Sequence, residues 1–174
     1  NSIHGDIPES IAKLCAQSKV KKFIHVSAIG ASKDSKSKYQ QSKFLGEEKA
    51  LSNFDKTVII RPSVVIGNED NFTNLFAKLS LSPIIPLVNV NYKFEPIFVN
   101  DVARAILKAI ETKNNEGKIY ELGGGRVISF GDMIKLILST IGKKRIVADV
   151  PMTLAKIQSS LLGLLPIDPI ITKD

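Results

Sequence analysis

The sequence predicts an α/β fold built on a doubly wound parallel sheet, with helices covering both faces of the sheet. Short apolar segments rich in Val and Ile alternate with longer segments whose apolar residues recur at helical spacing. The apolar segments are too short and too uniformly hydrophobic to be half exposed, which is typical of buried parallel strands. With 44% hydrophobic and 24% charged residues, the 174-residue chain has an ordinary globular composition.

The first part of the chain contains two predicted helices and two predicted strands. Ile7, Ile11 and Leu14 recur at helical spacing, and Pro8 suits a first helical turn. We therefore expect helices over residues 6–19 and 39–51, buried strands over 22–27 and 57–60, and a polar loop over 32–38.

The second part of the chain continues this alternation. Asn100 or Asp101 is a candidate N-cap of one helix and Ser129 of the next, because short polar side chains accept hydrogen bonds from the first helical amides. The expected elements are helices over 72–79 and after each of these caps, extended segments over 84–88, 94–99, 118–122 and 145–150, and a last helix from Pro151.

Charge and cysteine content argue against several classes of function. The net charge is +7, but the basic residues are mainly scattered lysines and the chain has no tryptophan, so we expect no nucleic-acid binding. A weak attraction to anionic lipid or to an acidic partner stays open. The single cysteine, Cys15, excludes an internal disulfide, and neither His4 nor His25 has partners at metal-ligand spacing. No metal site is predicted.

Tyr39 and Lys43 are the residues best suited to chemistry. They are four apart on a predicted helix and so share one face. A lysine ammonium beside a phenol favours the phenolate, which can exchange a proton with a carbonyl or alcohol oxygen. The same lysine can hold the ribose hydroxyls of a nicotinamide cofactor. Alone, the spacing fits an ordinary solvated contact equally well.

The context of this pair strengthens the functional interpretation. Ser27 follows one buried strand directly, and Arg61, Pro62 and Ser63 end the next. Open α/β sheets place their ligands at the carboxyl ends of the strands. We therefore expect these residues and the helix of Tyr39 to converge on one edge of the sheet.

Several segments together resemble the atypical short-chain dehydrogenase/reductase proteins, which are similar to NAD-dependent epimerases and dehydratases. Within them the chain resembles most the nucleotide-binding accessory subunit of respiratory complex I and its bacterial relatives. The segments that carry the resemblance are 25–31, Tyr39 with Lys43, 46–48, 61–67, 68–74, 83–87, 95–102 and 166–174.

The resemblance implies a Rossmann-type domain and assigns roles to residues. Tyr39 would handle the proton, Lys43 would be its partner and a ribose ligand, and Ser27 would be catalytic or lie beside the nicotinamide. Related enzymes usually carry the catalytic serine one position later, where this chain has Ala28. The residues expected to bind the cofactor are Ser27, Ala28, Tyr39, Lys43, Pro62, Ser63 and Val64.

The start of the chain departs from this family pattern. The chain opens on a helix, and no glycine-rich phosphate loop precedes Ser27. We expect an incomplete Rossmann-type sheet that lacks its first strands and this loop. Residues 1–68 would form the later part of the NAD(P)-binding domain. Residues 69–174 would form a small substrate-side or partner region, interleaved with the last elements of the sheet.

Two functions follow from the resemblance. In the first, the full-length protein holds NADP(H) or NAD(H) in a structural or assembly role with complex I subunits. It would then be cytoplasmic, with peripheral lipid contact at the inner face of the bacterial inner membrane, or on the matrix side of a mitochondrion. In the second, it is an NAD(P)-dependent epimerase, dehydratase or reductase that acts on a sugar-like or isoprenoid substrate through Tyr39 and Lys43. In either case we expect weak or absent cofactor binding by these 174 residues alone, because the pyrophosphate would lack its backbone amides.

Overall fold

The computed structural model describes residues 2–151. The predicted helix from Pro151 and the 166–174 segment therefore lie outside the described residues, apart from Pro151 itself. None of the helices described between residues 2 and 151 has the length and hydrophobicity of a membrane-spanning segment.

Strands and helices alternate along the described chain much as the hydrophobic pattern predicts. A π-helical turn, Ser2–Asp6, precedes the first α-helix. In chain order the elements are α1 (Ile7–Gln17), β1 (Phe23–Val26), α2 (Lys38–Asn53), β2 (Thr57–Pro62), β3 (Val65–Ile66), α3 (Asn71–Leu79), β4 (Ile84–Leu87), β5 (Lys93–Phe94), β6 (Ile97–Phe98), α4 (Val99–Glu111), β7 (Ile119–Leu122), β8 (Ile128–Ser129), α5 (Phe130–Thr140) and β9 (Ile146–Asp149).

The chain forms two compact units, each built from two segments. Within the described residues, the first unit comprises residues 2–65 and Pro96–Gly125, and the second comprises Ile66–Glu95 and residues 126–151. The assignment of residues 1–68 to nucleotide binding and 69–174 to a substrate or partner region stays a prediction.

The first unit contains a three-stranded parallel sheet in the order β1-β2-β7. Val58 and Ile60 of β2 pack on one face of this sheet with Ala109 of α4. On the other face, Phe23 of β1 packs against Ala12 of α1, Ala50 of α2 and Phe54, which directly follows α2. Apolar side chains are thus removed from water on both faces of the sheet. The predicted α/β class with parallel strands is confirmed.

The second unit combines one parallel and one antiparallel strand pair, β4 with β9 and β5 with β8. Its core lies between α3, α5 and these strands and consists of Phe76, Ile85, Leu87, Met133, Ile134, Ile137 and Leu138. Ser129 caps α5, and its side chain accepts a hydrogen bond from the amide of Asp132 at 3.1 Å, as predicted. Asp70 caps α3 in the same way.

The prediction for the start of α4 is wrong. The helix begins at Val99, and Phe98 occupies the N-cap position without a side-chain hydrogen bond. Asp101 lies inside the first turn, where it pairs with Arg104 at 2.9 Å. A carboxylate in the first helical turn is favoured by the helix dipole whether or not it caps, so Asp101 marks the helix start only to within a turn.

Candidate functional site

The segments that follow β1 and β2 lie side by side at the carboxyl edge of the sheet. The amide of Ser27 donates to the carbonyl of Ile60 at 2.7 Å, and the amide of Ile29 donates to the carbonyl of Pro62 at 3.1 Å. Ser63 continues the pattern, because its amide donates to the carbonyl of Leu122 on β7 at 2.9 Å. The residues predicted to converge here are therefore held together by backbone hydrogen bonds.

Ser27 is a buried polar side chain without a partner. It is 5% exposed, and its hydroxyl makes no hydrogen bond within the described residues. An unpaired buried hydroxyl costs about 1–3 kcal/mol unless a ligand or water satisfies it. Ala28, Ser63 and Val64 lie nearby in the chain and are half-buried, whereas Pro62 is buried. This part of the edge thus combines apolar surface with one unsatisfied hydroxyl.

Helix α2 brings Tyr39 and Lys43 to the same edge. Ser37 caps this helix by accepting a hydrogen bond from the amide of Gln40 at 3.3 Å. One helical turn later, Lys43 Nζ donates to the carbonyl of Val26, the last residue of β1, at 3.1 Å. Burial lowers the pKa of Lys43, while the nearby Glu47 carboxylate acts in the opposite direction. The ammonium is therefore fixed at the carboxyl end of β1 and is partly desolvated.

Tyr39 and Lys43 share a helix face, as expected, but Tyr39 has other contacts. The residue is 46% exposed, and its ring meets the His4 ring edge-on, with 5.5 Å between the ring centroids. Within residues 2–151 the phenol makes no hydrogen bond to Lys43 or to any other group. The phenol is thus partly exposed and unpaired within these residues.

The sequence interpretation missed His4 as a neighbour of this site. His4 lies in the π-helical turn, and its Nδ1 is 2.9 Å from the hydroxyl of Ser42, which itself donates to the carbonyl of Tyr39. Because the Ser42 proton is used there, His4 Nδ1 is the donor to Ser42. Burial and the Lys43 charge lower the pKa of His4. The sequence of α2 contained a signal for this contact. Residues 39, 42 and 46 lie on one helix face, and the glycine at position 46 permits another segment to approach that face closely.

An ion-pair network behind the edge was also missed. Glu47, only 1% exposed, accepts two hydrogen bonds from Arg61, from Nε at 2.9 Å and from Nη2 at 2.7 Å. Arg61 Nη1 is also 3.2 Å from Glu121 on β7. These hydrogen bonds to the Glu47 carboxylate raise the pKa of Arg61 above its ordinary value. The available signal was an arginine inside an otherwise apolar strand, which requires an anionic partner.

Gly124, in the Gly123–Gly125 segment, has a packing role. A Cβ at this position would lie 2.1 Å from the carbonyl oxygen of Pro96. Only glycine permits this approach of two backbone segments. Elsewhere in the chain, no cluster of three or more His, Cys, Asp or Glu residues could hold a metal ion within the described part.

His25 should make stability depend on pH. It lies on β1 with Nε2 buried and unpaired, and burial, followed by the Lys43 charge, lowers its pKa to about 4 from the ordinary 6.5. As the pH falls, His25 therefore takes up a proton in the unfolded chain before it does so in the folded chain. Stability is full above pH 6.5, declines as the pH falls towards 4 and is level below that. After discounting for partial exposure, we expect a loss of about 2 kcal/mol.

Urea unfolding of the full-length protein at a series of pH values measures this dependence. His25→Gln carries no titrating group at this position, so its free energy of unfolding should change less between pH 6.5 and pH 4. Equal slopes for the two proteins over this interval would show that His25 does not contribute.

Comparison with known proteins gives one family and a consistent fold. A family model described as the RmlD substrate binding domain matches residues 1–160. The chain is 20% identical to a dTDP-4-dehydrorhamnose reductase of Bacillus anthracis, solved in complex with NADP. The TM-score is 0.72, and the match covers 87% of this chain and 58% of that one. This likeness shows that the two chains share an α/β fold with parallel strands.

Two mitochondrial proteins are more similar in sequence, and both are named NADH dehydrogenase (ubiquinone) 1 alpha subcomplex subunit 9. The Mus musculus protein is 34% identical over 97% of this chain and 45% of its own length. The Dictyostelium discoideum protein is 37% identical over 68% of this chain and 34% of its own length. The chain thus spans less than half of the length of either relative.

Proposed function

Because the chain belongs to the RmlD substrate binding domain family, we propose that the full-length protein binds NADP(H) or NAD(H) at the edge that carries Ser27, Tyr39 and Lys43. It holds the nucleotide in a structural or assembly role with complex I subunits. The main support is that the Lys43 ammonium is held by a hydrogen bond to the Val26 carbonyl, next in the chain to Ser27, whose hydroxyl is buried and unpaired within the described residues.

The residues at this edge fit the nicotinamide half of such a nucleotide. An ammonium has three donors, and Lys43 uses one of them on Val26. The others suit ribose hydroxyls, while Ser27 and Tyr39 offer hydroxyls for the carboxamide and ring side. Ala28, Pro62, Ser63 and Val64 supply the partly apolar wall that a planar ring requires. A bound nicotinamide would supply the capacity for hydride transfer, and the protein would supply orientation and shielding from water.

The accessory role is supported by the mitochondrial relatives. Both are named as NADH dehydrogenase subunits, and the identity to the mouse protein extends over nearly the whole chain. Ala28 stands at the position where we expect a serine in related enzymes, which favours binding without turnover. The full-length protein would lie at the inner face of a bacterial inner membrane, or on the matrix side of a mitochondrion, in contact with complex I subunits.

Lys43→Met in the full-length protein tests the nucleotide site. The substitution keeps most of the side-chain volume and removes the donors, so the dissociation constant for NADPH or NADH should rise about tenfold or more, as for a lost charged hydrogen bond. Isothermal titration calorimetry measures it. Lys38→Met is the control, because Lys38 is exposed on the same helix and should bind as the unmodified protein does. Equal affinities for all three proteins would show that Lys43 does not contribute to nucleotide binding.

A second function, a reductase or epimerase acting on a sugar-like or isoprenoid substrate, is favoured by the Tyr39 phenol, which is exposed and unpaired within residues 2–151. Tyr39→Phe distinguishes the two. The accessory function predicts that nucleotide binding and complex assembly survive and that no turnover exists to be lost. The enzyme function predicts turnover in the unmodified protein and a loss of about a hundredfold or more in the variant, because the phenol would transfer the proton.

A further inference from the structure

The ion pair between Glu47 and Arg61 lies one helical turn from the predicted ribose ligand. Glu47 follows Lys43 by four residues on α2, so both side chains lie on the same helix face. The Glu47 carboxylate favours the charged form of Lys43, against the burial that lowers the pKa of this lysine. Lys43 nevertheless donates to the Val26 carbonyl, and both Glu47 oxygens are occupied by the Arg61 guanidinium.

We propose that Arg61 is a positioning residue for Lys43. By holding both oxygens of Glu47, the guanidinium prevents this carboxylate from capturing the neighbouring ammonium. Lys43 thereby stays on the Val26 carbonyl, with its remaining donors directed to a nucleotide at the sheet edge. The inference rests on the proposed nucleotide site and adds a residue that touches neither the nucleotide nor the reacting atoms.

The strength of the competing pair supports this role. Glu47 is 1% exposed and the side chain of Arg61 is 15% exposed. A buried carboxylate deprived of its partner is strongly destabilised and takes the nearest available cation or a proton. Lysine is a flexible point charge, so Lys43 can turn along its own helix face towards residue 47. Arginine, by contrast, matches the carboxylate with two parallel bonds, which is the arrangement observed here.

The other titratable groups near Glu47 do not replace Arg61. His25 interacts with both Glu47 and Lys43, but burial holds its pKa at about 4, so it is neutral near pH 7. His4 is also held towards its neutral form by burial and by Lys43. Glu121 is anionic and pairs with Arg61 from the opposite side. Lys43 is therefore the cation that Glu47 would recruit.

A double substitution in the full-length protein tests the inference. Arg61→Met removes the guanidinium and keeps an unbranched apolar stem. The dissociation constant for NADPH or NADH should rise about tenfold, to the level of Lys43→Met. Adding Glu47→Gln removes the competing charge, so the E47Q/R61M protein should recover affinity to within about threefold of the unmodified protein. R104M is the matched control, since Arg104 pairs with Asp101 at the exposed surface of α4, and it should bind normally.

The outcomes separate the inference from the nucleotide site itself. Normal affinity in R61M overturns the positioning role, as does equal loss in R61M and E47Q/R61M, which would mean that Arg61 acts on its own or through the fold. If K43M also binds normally, the nucleotide site is misplaced and the failure lies with the proposed function.

A spectroscopic measurement covers the case in which R61M is too unstable for titration. Arg61→Lys keeps a cation beside Glu47 but only as a point charge, so Glu47 becomes partly available. In this variant the pKa of Lys43, followed by NMR of its side chain, should rise as the ammonium pairs with Glu47. A purely structural role for Arg61 leaves the pKa of Lys43 unchanged, and that result would overturn the inference.

Discussion

Replacing Gly46 with alanine should lower the free energy of unfolding by about 3 kcal/mol, because the new methyl group has no space. A Cβ at residue 46 would lie 2.0 Å from the carbonyl oxygen of His4 and 3.4 Å from Pro8 Cγ. The first contact is with backbone, so no side-chain rotation can relieve it. The π-helical turn Ser2–Asp6 would have to move away from α2, which would separate His4 from both Ser42 and Tyr39.

Urea unfolding of the full-length protein measures this effect, with Gly131→Ala as the matched control. Gly131 is also a buried helical glycine, but its Cβ would lie 3.3 Å from Val90 Cβ and 3.4 Å from the Val90 carbonyl oxygen, and a shift of a few tenths of an ångström relieves this crowding. The higher helix propensity of alanine offsets that crowding, so we expect a change of less than about 1 kcal/mol in either direction. A Gly46→Ala protein as stable as Gly131→Ala would mean that His4 does not pack here.

The close packing at Gly46 explains why part of the site could not be predicted from the sequence. Tyr39 and Lys43 share a face because helical periodicity is a local property, and a single sequence contains it. The approach of the π-helical turn to α2 depends on the tertiary arrangement. The sequence shows a glycine inside a helix, which marks a packing or functional constraint but does not identify the residue that it meets.

The strands could be predicted because their composition reflects burial. Residues 57–60 are wholly apolar or β-branched, and in the structure Thr57, Val58, Ile59 and Ile60 are all buried. Parallel pairing then places the ends of β1 and β2 at one edge, which is how Ser27 and Pro62 become neighbours. The roles assigned to these residues stay predictions, because position at an edge does not by itself establish binding.

The Glu47–Arg61 pair illustrates the opposite case. Both residues are visible in the sequence, but their pairing depends on which turn of α2 lies over which residue of β2. That relation is set by the loop between them and by packing around Ala50 and Phe54. Hydrophobic periodicity predicts which face of a helix or strand is buried. It does not predict how far along its axis one element lies relative to its neighbour, so long-range ion pairs are found only once the structure is known.

A second large effect is expected at Lys22, which we predict to stabilise the fold by capping a helix. Its Nζ donates to the carbonyls of Ala109 at 3.0 Å and Thr112 at 2.6 Å and to Asn115 Oδ1 at 2.5 Å. These carbonyls lie at the C-terminal end of α4, where helical carbonyls lack partners and the helix dipole favours a cation. The lysine side chain is 11% exposed and Asn115 is 1% exposed, so water cannot readily replace the ammonium.

Lys22→Met should therefore lower the free energy of unfolding by about 3 kcal/mol, since it leaves buried acceptors without their charged donor while keeping the apolar stem. Lys21→Met is the control: the neighbouring lysine is exposed, and its loss should change stability by less than about 0.5 kcal/mol. Urea unfolding of the full-length proteins gives both values. Equal stabilities for the two variants would show that the end of α4 does not need this cation. The expected difference would show instead that α4, which covers one face of the sheet, is held to the start of β1 by a single buried ammonium.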